Sequence, residues 1–562
     1  MFVSSITSNT SSAVYFAPTN PSDTSPFIEN GYPSTGFIAL NSALVFLMTP
    51  GLGFFYSGMA RSKNALHLIM ACYLAIAIVT IQWVLFGFSL AFSESSGPFI
   101  GNFAFGGMTG VGANALAVAA PSVPAVAFAL YQLQFATITV ALIFGSVAER
   151  IRLLPAMFFI FFWTSLIYDP VAYWTWGAHG WIKNMSCLST TAASAVPCGY
   201  GGYDYAGGGP VHIASGFSGL AFAIFLGSRK HVENFKPHNI LNVFLGTALL
   251  WFGWFGFNGG SAISATPRAA MAAFVTTIAT CAGAMSWLLY DFVNNRKLSG
   301  LGFCSGAVAA LVGITPSSGF VAPWAALVIG AVSGVVCNLS CHIKVKFGFD
   351  DSLDAWGVHG VGGFVGNIMT GVFAQAWIAT LDGTSIPGGW MDGNWIQVGY
   401  QLAGSSAIAA YSFVGTYLIL YLLDLIPGLD FRPTEEEEKK GGDIACMGET
   451  AYQILEAVGI DPSLPGPFNN VTLIPGPLVP LKEEDEDPTE IHVPSRRQSI
   501  IADLSSTTLT NIKIAGAAQP VEDLHITRDV SRSVNDVNRA INDRHVNVYA
   551  VYNRGRATYT RG

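Results

Sequence analysis

The sequence predicts an all-α polytopic membrane protein with eleven transmembrane helices. Its 562 residues are 51% hydrophobic and only 11% charged, whereas a soluble domain carries about 25% charged residues. Long apolar stretches alternate with short charged or glycine- and proline-rich breaks, which is the pattern of a chain that crosses a bilayer repeatedly. This composition argues against a soluble enzyme. The net charge of −8 argues against a nucleic-acid-binding protein.

Eleven stretches approach the length of about 20 apolar residues that a helix needs to span a bilayer. The eighth is short. They lie at 36–58, 66–92, 124–147, 153–171, 210–227, 239–257, 268–293, 301–316, 320–343, 357–378 and 401–426.

Basic residues between these stretches are concentrated in alternate loops. Those loops carry Arg61, Lys63, Arg150, Arg152, Arg229, Lys230, Lys236, Arg296, Lys297, Lys344 and Lys346, and the remaining loops hold only Lys183 and Arg268. Because loops rich in Lys and Arg stay in the cytoplasm, we expect the N-terminus outside and the C-terminus inside.

Charge also divides the chain into a body and a tail. Residues 1–427 contain 13 basic and 14 acidic residues, and residues 428–562 contain 14 and 21. Residues 1–35 show no cleavable signal peptide and are expected to be an extracellular segment. Residues 36–427 form the predicted transmembrane domain. Beyond 455 the Pro-, Ser-, Asn- and acid-rich composition predicts disorder over 456–562.

Two kinds of modification are expected on the extracellular side in this orientation. Asn9 and Asn184 each begin an Asn-X-Ser/Thr tripeptide, the acceptor pattern for N-glycosylation, although chance accounts for many such tripeptides. Cys187 and Cys198 lie in one extracellular loop, a compartment in which disulfides persist. We therefore predict a disulfide between them.

Ionisable residues near apolar spans are candidates for function because they are costly in hydrocarbon. His212 opens the fifth span and His359 opens the tenth. An inverted repeat of five plus five spans, with the eleventh outside it, would give them corresponding positions near a central site. The alternative is two unrelated histidines at helix starts. Asp204 precedes the first by eight residues and is expected to support local structure, and Asp354 precedes the second by five and is expected to cap a helix.

Aromatic residues cluster towards the external side, at Tyr173, Trp174, Trp176 and Trp181 and at Trp251, Trp254, Phe255 and Phe257. Interfacial aromatic belts explain some of them, and a small cation held by an aromatic face is the functional alternative. The spans offer no row of acids to accompany a permanent cation, so a cationic substrate would have to lose its proton before it crosses. No Glu, Asp or Cys completes a metal-ligand set beside the histidines. We predict neither enzymatic activity nor a cofactor.

Five sequence blocks resemble the ammonium transporter superfamily (Amt/Mep/Rh), and the similarity covers about 30–450. The blocks are YQLQFA (131–136), GSVAER (145–150), DYAGGGPVH (204–212), GWFGFNGGS (253–261) and DAWGVHG (354–360). The run Tyr168-Asp169-Pro170 is more similar to the Mep-like eukaryotic branch than to Rh proteins.

This resemblance implies a homotrimer in the plasma membrane with one pore in each protomer. Trp176, Phe135 and Ser261 would bind ammonium at an outer site, and Phe135 and Phe257 would form a gate beneath it. His212 and His359 would line the pore, with Asp204 and Trp254 supporting. The implied function is ammonium transport, in which NH4+ loses its proton and NH3 passes the histidines, with or without H+. The alternative is an ammonium sensor that signals through its tail.

The resemblance extends into the tail. Residues 428–455, with Gly442-Asp443 and Gly448-Glu449-Thr450, are similar to a cytoplasmic regulatory segment that contacts the neighbouring protomer. Plant members carry a phosphorylated threonine where this chain has Ala445, so that switch is not expected. Further on, Arg496 and Arg497 precede Ser499, a pattern that basophilic kinases favour, although a serine in a polar tail can match it by chance. We predict phosphorylation of Ser499 by a kinase.

Overall fold

A computed structural model describes residues 27–188, 200–230 and 236–452, together with four short strands further along the chain. All the regular secondary-structure elements in the three long ranges are helices. Asn9, Cys198 and Ser499 lie outside the described residues, so the predictions made for them stay predictions.

Each apolar stretch predicted from the sequence contains a long helix, and we number these helices in chain order. They are α1 (Tyr32–Met59), α2 (Ser62–Phe92), α3 (Ala125–Ile143), α4 (Leu153–Trp176), α5 (Gly208–Leu226), α6 (Ile240–Gly260), α7 (Pro267–Asn295), α8 (Gly300–Ile314), α9 (Pro323–Phe347), α10 (Trp356–Phe373) and α11 (Ile396–Asp424).

Nine of these helices, among the described residues, are long and apolar enough to cross a membrane. A tenth crossing results only if α10 is joined to Ala376–Asp382, which follows it after a bend of 100°. Helix α8 has 15 residues, fewer than the usual span. The structure therefore confirms an all-helical membrane protein, while the count of eleven spans, the repeat and the orientation stay predictions.

Proline and capping residues set several helix starts. Pro267 and Pro323 occupy the first turns of α7 and α9, where a missing N–H costs nothing because that group has no partner within the helix. Asn239 and Ser299 accept hydrogen bonds from the backbone N–H groups of Asn242 and Gly302 at the starts of α6 and α8. These boundaries follow from local sequence.

Helices α5 and α10 begin in the same unusual way. Each opens with a π-helical turn, at Gly208–Ile213 and at Trp356–Gly360, and such turns are frequent at functional sites. The two helices cross closely at Gly216 and Gly360. A side chain at Gly216 would collide with the backbone of Gly360, so the close crossing requires glycine there. Small residues permit such close crossings between membrane helices, and this crossing brings the first turns of α5 and α10 together.

Among the described residues, four of the five basic loops predicted to share one side contact one another, the exception being the loop with Arg296 and Lys297. Arg61 forms an ion pair with Glu149 at 2.8 Å, which joins the loops after α1 and α3. Arg229 pairs with Asp350 at 2.9 Å, which joins the loops after α5 and α9. Burial raises the pKa of the Asp350 carboxyl, but Arg229 and Arg150 outweigh it and hold that pKa at about 2.

The segment after α11 packs on these loops. Its short helix α12 (Glu435–Lys440) begins with a capping box between Thr434 and Glu437, which satisfies two backbone N–H groups at once. Glu437 accepts a hydrogen bond from Arg152 at 2.6 Å, and Lys63 donates to the carbonyl of Glu438 at 2.9 Å. These contacts attach the segment to the loops after α1 and α3.

Four strands form a separate part of the chain. β1 (Ile500–Asp503) pairs in parallel with β3 (Val548–Val551), and β2 (Glu522–Ile526) pairs antiparallel with β4 (Ala557–Arg561). These strands do not follow from the composition of 456–562, and disorder of that segment stays a prediction.

Candidate functional site

Three aromatic rings from α3, α4 and α6 lie together. The rings of Phe135 and Phe257 are stacked with centroids 4.1 Å apart and an angle of 19° between their planes. The indole of Trp176 meets Phe135 edge-on at 6.0 Å. Both phenylalanines are buried, whereas Trp176 is partly exposed. The structure thus brings together three side chains that the resemblance assigns to the outer site and the gate.

Ser261, at the end of α6, lies beside this aromatic group. Its hydroxyl donates to the carbonyl of Phe257 at 2.8 Å, which leaves the oxygen lone pairs free to accept from a ligand. The hydroxyl of Tyr131 lies 3.4 Å from Ser261 Oγ and donates to the same Phe257 carbonyl at 2.8 Å. Sequence reasoning assigned Tyr131 no role, although its position four residues before Phe135 places both on one face of α3.

Asp204 organises the turn that leads into α5. Its carboxylate accepts hydrogen bonds from the backbone N–H groups of Gly207, Gly208 and Gly209 at 2.6–2.8 Å. Burial raises the pKa of this carboxyl to about 6, although the three hydrogen bonds oppose that shift. The backbone carbonyl of Asp204 also accepts from the Trp176 indole at 3.0 Å. Asp204 therefore positions Trp176 through its backbone while its side chain holds the turn.

A cavity within the helix bundle is lined by Phe257 and by both histidines. His212 Nδ1 lies 3.2 Å from His359 Nδ1, and the two rings are nearly parallel with centroids 5.3 Å apart. Among the described residues His212 Nε2 has no hydrogen-bond partner. Most of the other lining side chains are apolar, including Leu52, Ile138 and Val308.

Trp254 forms the wall beside the first histidine. Its indole stacks on the ring of His212 with centroids 5.6 Å apart and donates a hydrogen bond to Thr315 Oγ1 at 2.9 Å. Trp254 therefore lines the cavity beside His212.

The carboxylate that supports the second histidine is Asp351, and the expectation that Asp354 caps this helix is wrong. Asp351 is buried and accepts from the backbone N–H groups of Ala355, Trp356 and Gly357 at 2.9–3.4 Å. Asp354 instead has a left-handed backbone with φ of 60° and pairs with Lys344 at 2.6 Å.

The spacing along the chain could have revealed Asp351. It precedes His359 by eight residues, and Asp204 precedes His212 by the same number. Both carboxylates hold the start of a π-helical turn that carries a histidine. The two histidine segments therefore correspond in spacing, in capping and in backbone form.

The segment 428–452 ends against the start of α2. Asp443 accepts from the backbone N–H groups of Leu66 and His67 at 3.2 and 2.8 Å, and Gly442 N donates to Asn64 at 2.7 Å. Burial raises the pKa of the Asp443 carboxyl to about 6. These contacts lie within one protomer. The predicted contact with a neighbouring protomer stays a prediction.

Asn184 lies in the loop after α4. Its side-chain nitrogen donates to the backbone carbonyls of Ala178 and Gly180 at 3.2 and 2.9 Å. A glycan would be attached to this same nitrogen, so modification would have to replace one of these bonds. Use of the sequon stays a prediction.

The arrangement is that of a membrane protein whose helix bundle holds a mostly apolar cavity, with two histidines in contact and stacked aromatic rings beside them. Among the described residues no group of three or more His, Cys, Asp or Glu side chains could hold a metal ion.

Comparison with known proteins identifies the family. The sequence model of the Ammonium Transporter Family matches residues 36–452, and the chain belongs to that family, as its motifs predict. Ammonium transporter 1 of Schizosaccharomyces pombe is 44% identical over 443 residues, which are 78% of this chain and 85% of that protein.

Solved structures show the same fold. The crystal structure of Candida albicans Mep2 has a TM-score of 0.67 and 40% sequence identity, and the match covers 73% of this chain and 88% of that chain. A structure named Sensor Amt Protein has a TM-score of 0.64 and 26% identity, over 74% of this chain and 99% of that chain.

Proposed function

We propose that this protein transports ammonium across the plasma membrane by binding NH4+ outside, removing its proton and conducting NH3 past a pair of histidines. The observation that carries the proposal is the pair His212 and His359, in contact at 3.2 Å in a mostly apolar cavity beside a stacked pair of phenylalanines. Family membership and the names of the relatives support the substrate.

The outer site would hold the cation by two kinds of contact. The face of Trp176 attracts a small cation, and Ser261 Oγ can accept a hydrogen bond from NH4+. Ammonium can donate the hydrogen bond and lose a proton, whereas K+ can do neither, and this difference accounts for selectivity against K+.

The apolar cavity favours the neutral form of the substrate. Moving an ion into a low-dielectric interior without a counter-ion is very costly, so the group gives up its charge instead. NH4+ would release H+ and continue as NH3. Because only one of the two facing Nδ1 atoms can carry a hydrogen, one histidine donates to the other. Their Nε2 atoms then differ, one being a donor and the other an acceptor.

The architecture we propose has eleven spans, with the N-terminus outside, the C-terminus in the cytoplasm and three protomers. The corresponding starts of α5 and α10 support a five-plus-five inverted repeat. The contacts among four of the basic loops support the orientation, because those loops carry the excess of Lys and Arg. Such repeats place the substrate site at their interface, where the histidines lie.

A sensor is the second candidate function. The docking of 428–452 on the loops after α1 and α3 favours it, since a segment attached to several loops can report their arrangement. Deletion of residues 428–562 separates the two functions. A transporter alone should keep ammonium-dependent growth, whereas a sensor should lose its downstream response while uptake persists.

Uptake of ammonium, methylammonium and K+ by cells that contain the protein tests the leading proposal directly, because passage of NH3 without H+ carries no current. Ammonium is expected to give the largest transport, methylammonium less, and K+ none. Equal uptake of K+ and ammonium would contradict the proposed selectivity.

We predict that Cys187 and Cys198 are joined, because both would face the oxidising exterior. Peptide mass mapping without reduction should find the two in one cross-linked product. Cys446 in the segment after α11 is the internal control and should be recovered as a free thiol. Two free thiols in the external loop, or their labelling from the cytoplasmic side, would contradict the bridge or the orientation.

Phosphorylation of Ser499 is predicted to change the transport rate without changing selectivity. A phosphate adds about −1.5 to −2 charges to a tail that already has an excess of acidic residues. The added charge would change the attraction between these acidic residues and Arg496 and Arg497. Ser499→Asp and Ser499→Ala are expected to differ in maximal uptake at equal surface abundance. Ser505→Asp, which lacks preceding arginines, is the matched control. Equal rates for both Ser499 variants, with no phosphate on Ser499, would show a chance match.

A further inference from the structure

Lys183 places a positive charge beside the outer end of α4. Its ammonium group donates a hydrogen bond to the backbone carbonyl of Trp176 at 3.3 Å, and its backbone N–H donates to the carbonyl of Trp174 at 3.1 Å. The side chain therefore folds back over the last turn of α4. The carbonyl that it covers belongs to the residue whose indole meets Phe135.

The end of α4 would otherwise carry partial negative charge. A helix C-terminus has the equivalent of about −0.5 elementary charge because its last carbonyls have no partners within the helix. Here Gly177 N donates to Tyr173 O, and the backbone groups of Ile182 and Lys183 donate to Trp174 O. The Trp176 carbonyl accepts its hydrogen bond from the Lys183 ammonium group. A full positive charge therefore lies at the C-terminal end of α4, beside the aromatic group.

The other cations and acids on this side are differently arranged. Arg268 pairs with Asp382 at 3.1 Å and lies over the ring of Tyr205, so its charge is compensated locally. Glu94, the acid that acts electrostatically on Lys183, uses its carboxylate oxygens for the backbone N–H groups of Ala117, Val118 and Ala119. Within the described part of the chain no carboxylate lies within 4.0 Å of the Lys183 nitrogen.

We infer that Lys183 opposes cation binding at the outer site and thereby raises the half-saturation concentration for ammonium. This inference rests on the proposed transport function. The Lys183 nitrogen lies 3.3 Å from the backbone carbonyl oxygen of Trp176. This distance is shorter than the screening length of about 8 Å at physiological salt. A cation near Trp176 therefore experiences its repulsion, and removal of the charge should tighten binding.

A purely structural role for Lys183 predicts the opposite sign. If the side chain only holds the end of α4, its loss would displace Trp176, weaken binding and lower the maximal rate. The direction of the change in KM therefore distinguishes an electrostatic role from a structural one.

The test compares Lys183→Gln, Lys183→Arg and the unaltered chain in a yeast strain without its own ammonium transporters, with uptake normalised to surface abundance. Burial lowers the pKa of the Lys183 amine and Glu94 opposes the shift, so uptake is measured in acidic medium, where the amine is protonated. Lys183→Gln is expected to lower KM by about two- to fivefold at an unchanged maximal rate. Lys183→Arg should keep the original KM.

Raised salt should shrink the difference between Lys183→Gln and the unaltered chain, because mobile ions screen the charge. Lys183→Met serves as a second neutral variant if Lys183→Gln does not reach the membrane. An unchanged or higher KM in the neutral variants, or a lower KM in Lys183→Arg, would overturn the inference. No ammonium uptake by the unaltered chain would instead contradict the proposed function.

Discussion

Replacement of His359 by alanine is expected to reduce maximal ammonium transport by about 10- to 100-fold, with little change in KM. The substitution removes the partner of His212 Nδ1, which lies at 3.2 Å, and leaves a buried polar atom unpaired. The imidazole is expected to stabilise the passing substrate by about 1–3 kcal/mol, as a hydrogen bond to a buried group does, and each 1.36 kcal/mol lost at the barrier is a factor of about ten in rate. His212→Ala should behave similarly. Phe257 and Phe135 lie between His212 and Trp176, so binding at the outer site should persist.

The measurement is ammonium uptake together with K+ uptake in the same cells. Either histidine variant could also relax discrimination against K+, because loss of the imidazole alters the step at which the proton is separated. His179→Ala is the matched control, since His179 contacts the carbonyl of Glu94 and lies outside the cavity. Unchanged rate and selectivity in both single variants would refute the twin-histidine mechanism.

Asp351→Ala is expected to cost about 1–3 kcal/mol of stability and most of the transport activity. The substitution leaves the N–H groups of Ala355, Trp356 and Gly357 without their carboxylate partner. The π-helical turn that carries His359 would then lose its anchor. Asp351→Asn should cost less, because its amide oxygen can still accept part of this set.

Asp354→Asn is the matched control for Asp351→Asn, three residues away along the same loop. Asp354 forms a partly exposed ion pair with Lys344, and exposed pairs contribute about 0–1 kcal/mol. Thermal unfolding in detergent and uptake per molecule at the surface are the two measurements. A larger effect of Asp354→Asn than of Asp351→Asn on both would contradict the assignment of Asp351.

The positions of the apolar helices could be predicted because they depend on composition along a single segment. A stretch such as 239–257 is almost uncharged, and a bilayer requires its backbone groups to bond within the helix. Each predicted stretch indeed contains a helix. The break at the end of α10 was not predicted, because the residues up to 378 continue the apolar pattern across a bend of 100°.

The candidate site was only partly predictable. His212 and His359 could be singled out from their rarity in apolar sequence, and the family motifs supplied Phe135, Phe257, Trp176 and Ser261. The sequence does not distinguish Asp351 from Asp354 as the carboxylate that caps the helix, because both lie in the short loop before His359. Their difference lies in the backbone, since the left-handed conformation of Asp354 directs it to Lys344 and leaves the helix start to Asp351.

Composition and motifs are enough to identify a membrane protein, its family and the residues that are candidates for its chemistry. Tertiary structure alone decided that α5 and α10 cross at Gly216 and Gly360, that His212 and His359 touch, and that the segment 428–452 closes on the start of α2. The physical reason is that span formation depends on the local cost of apolar surface and unpaired backbone groups. Contact between residues 147 positions apart depends on how whole helices pack.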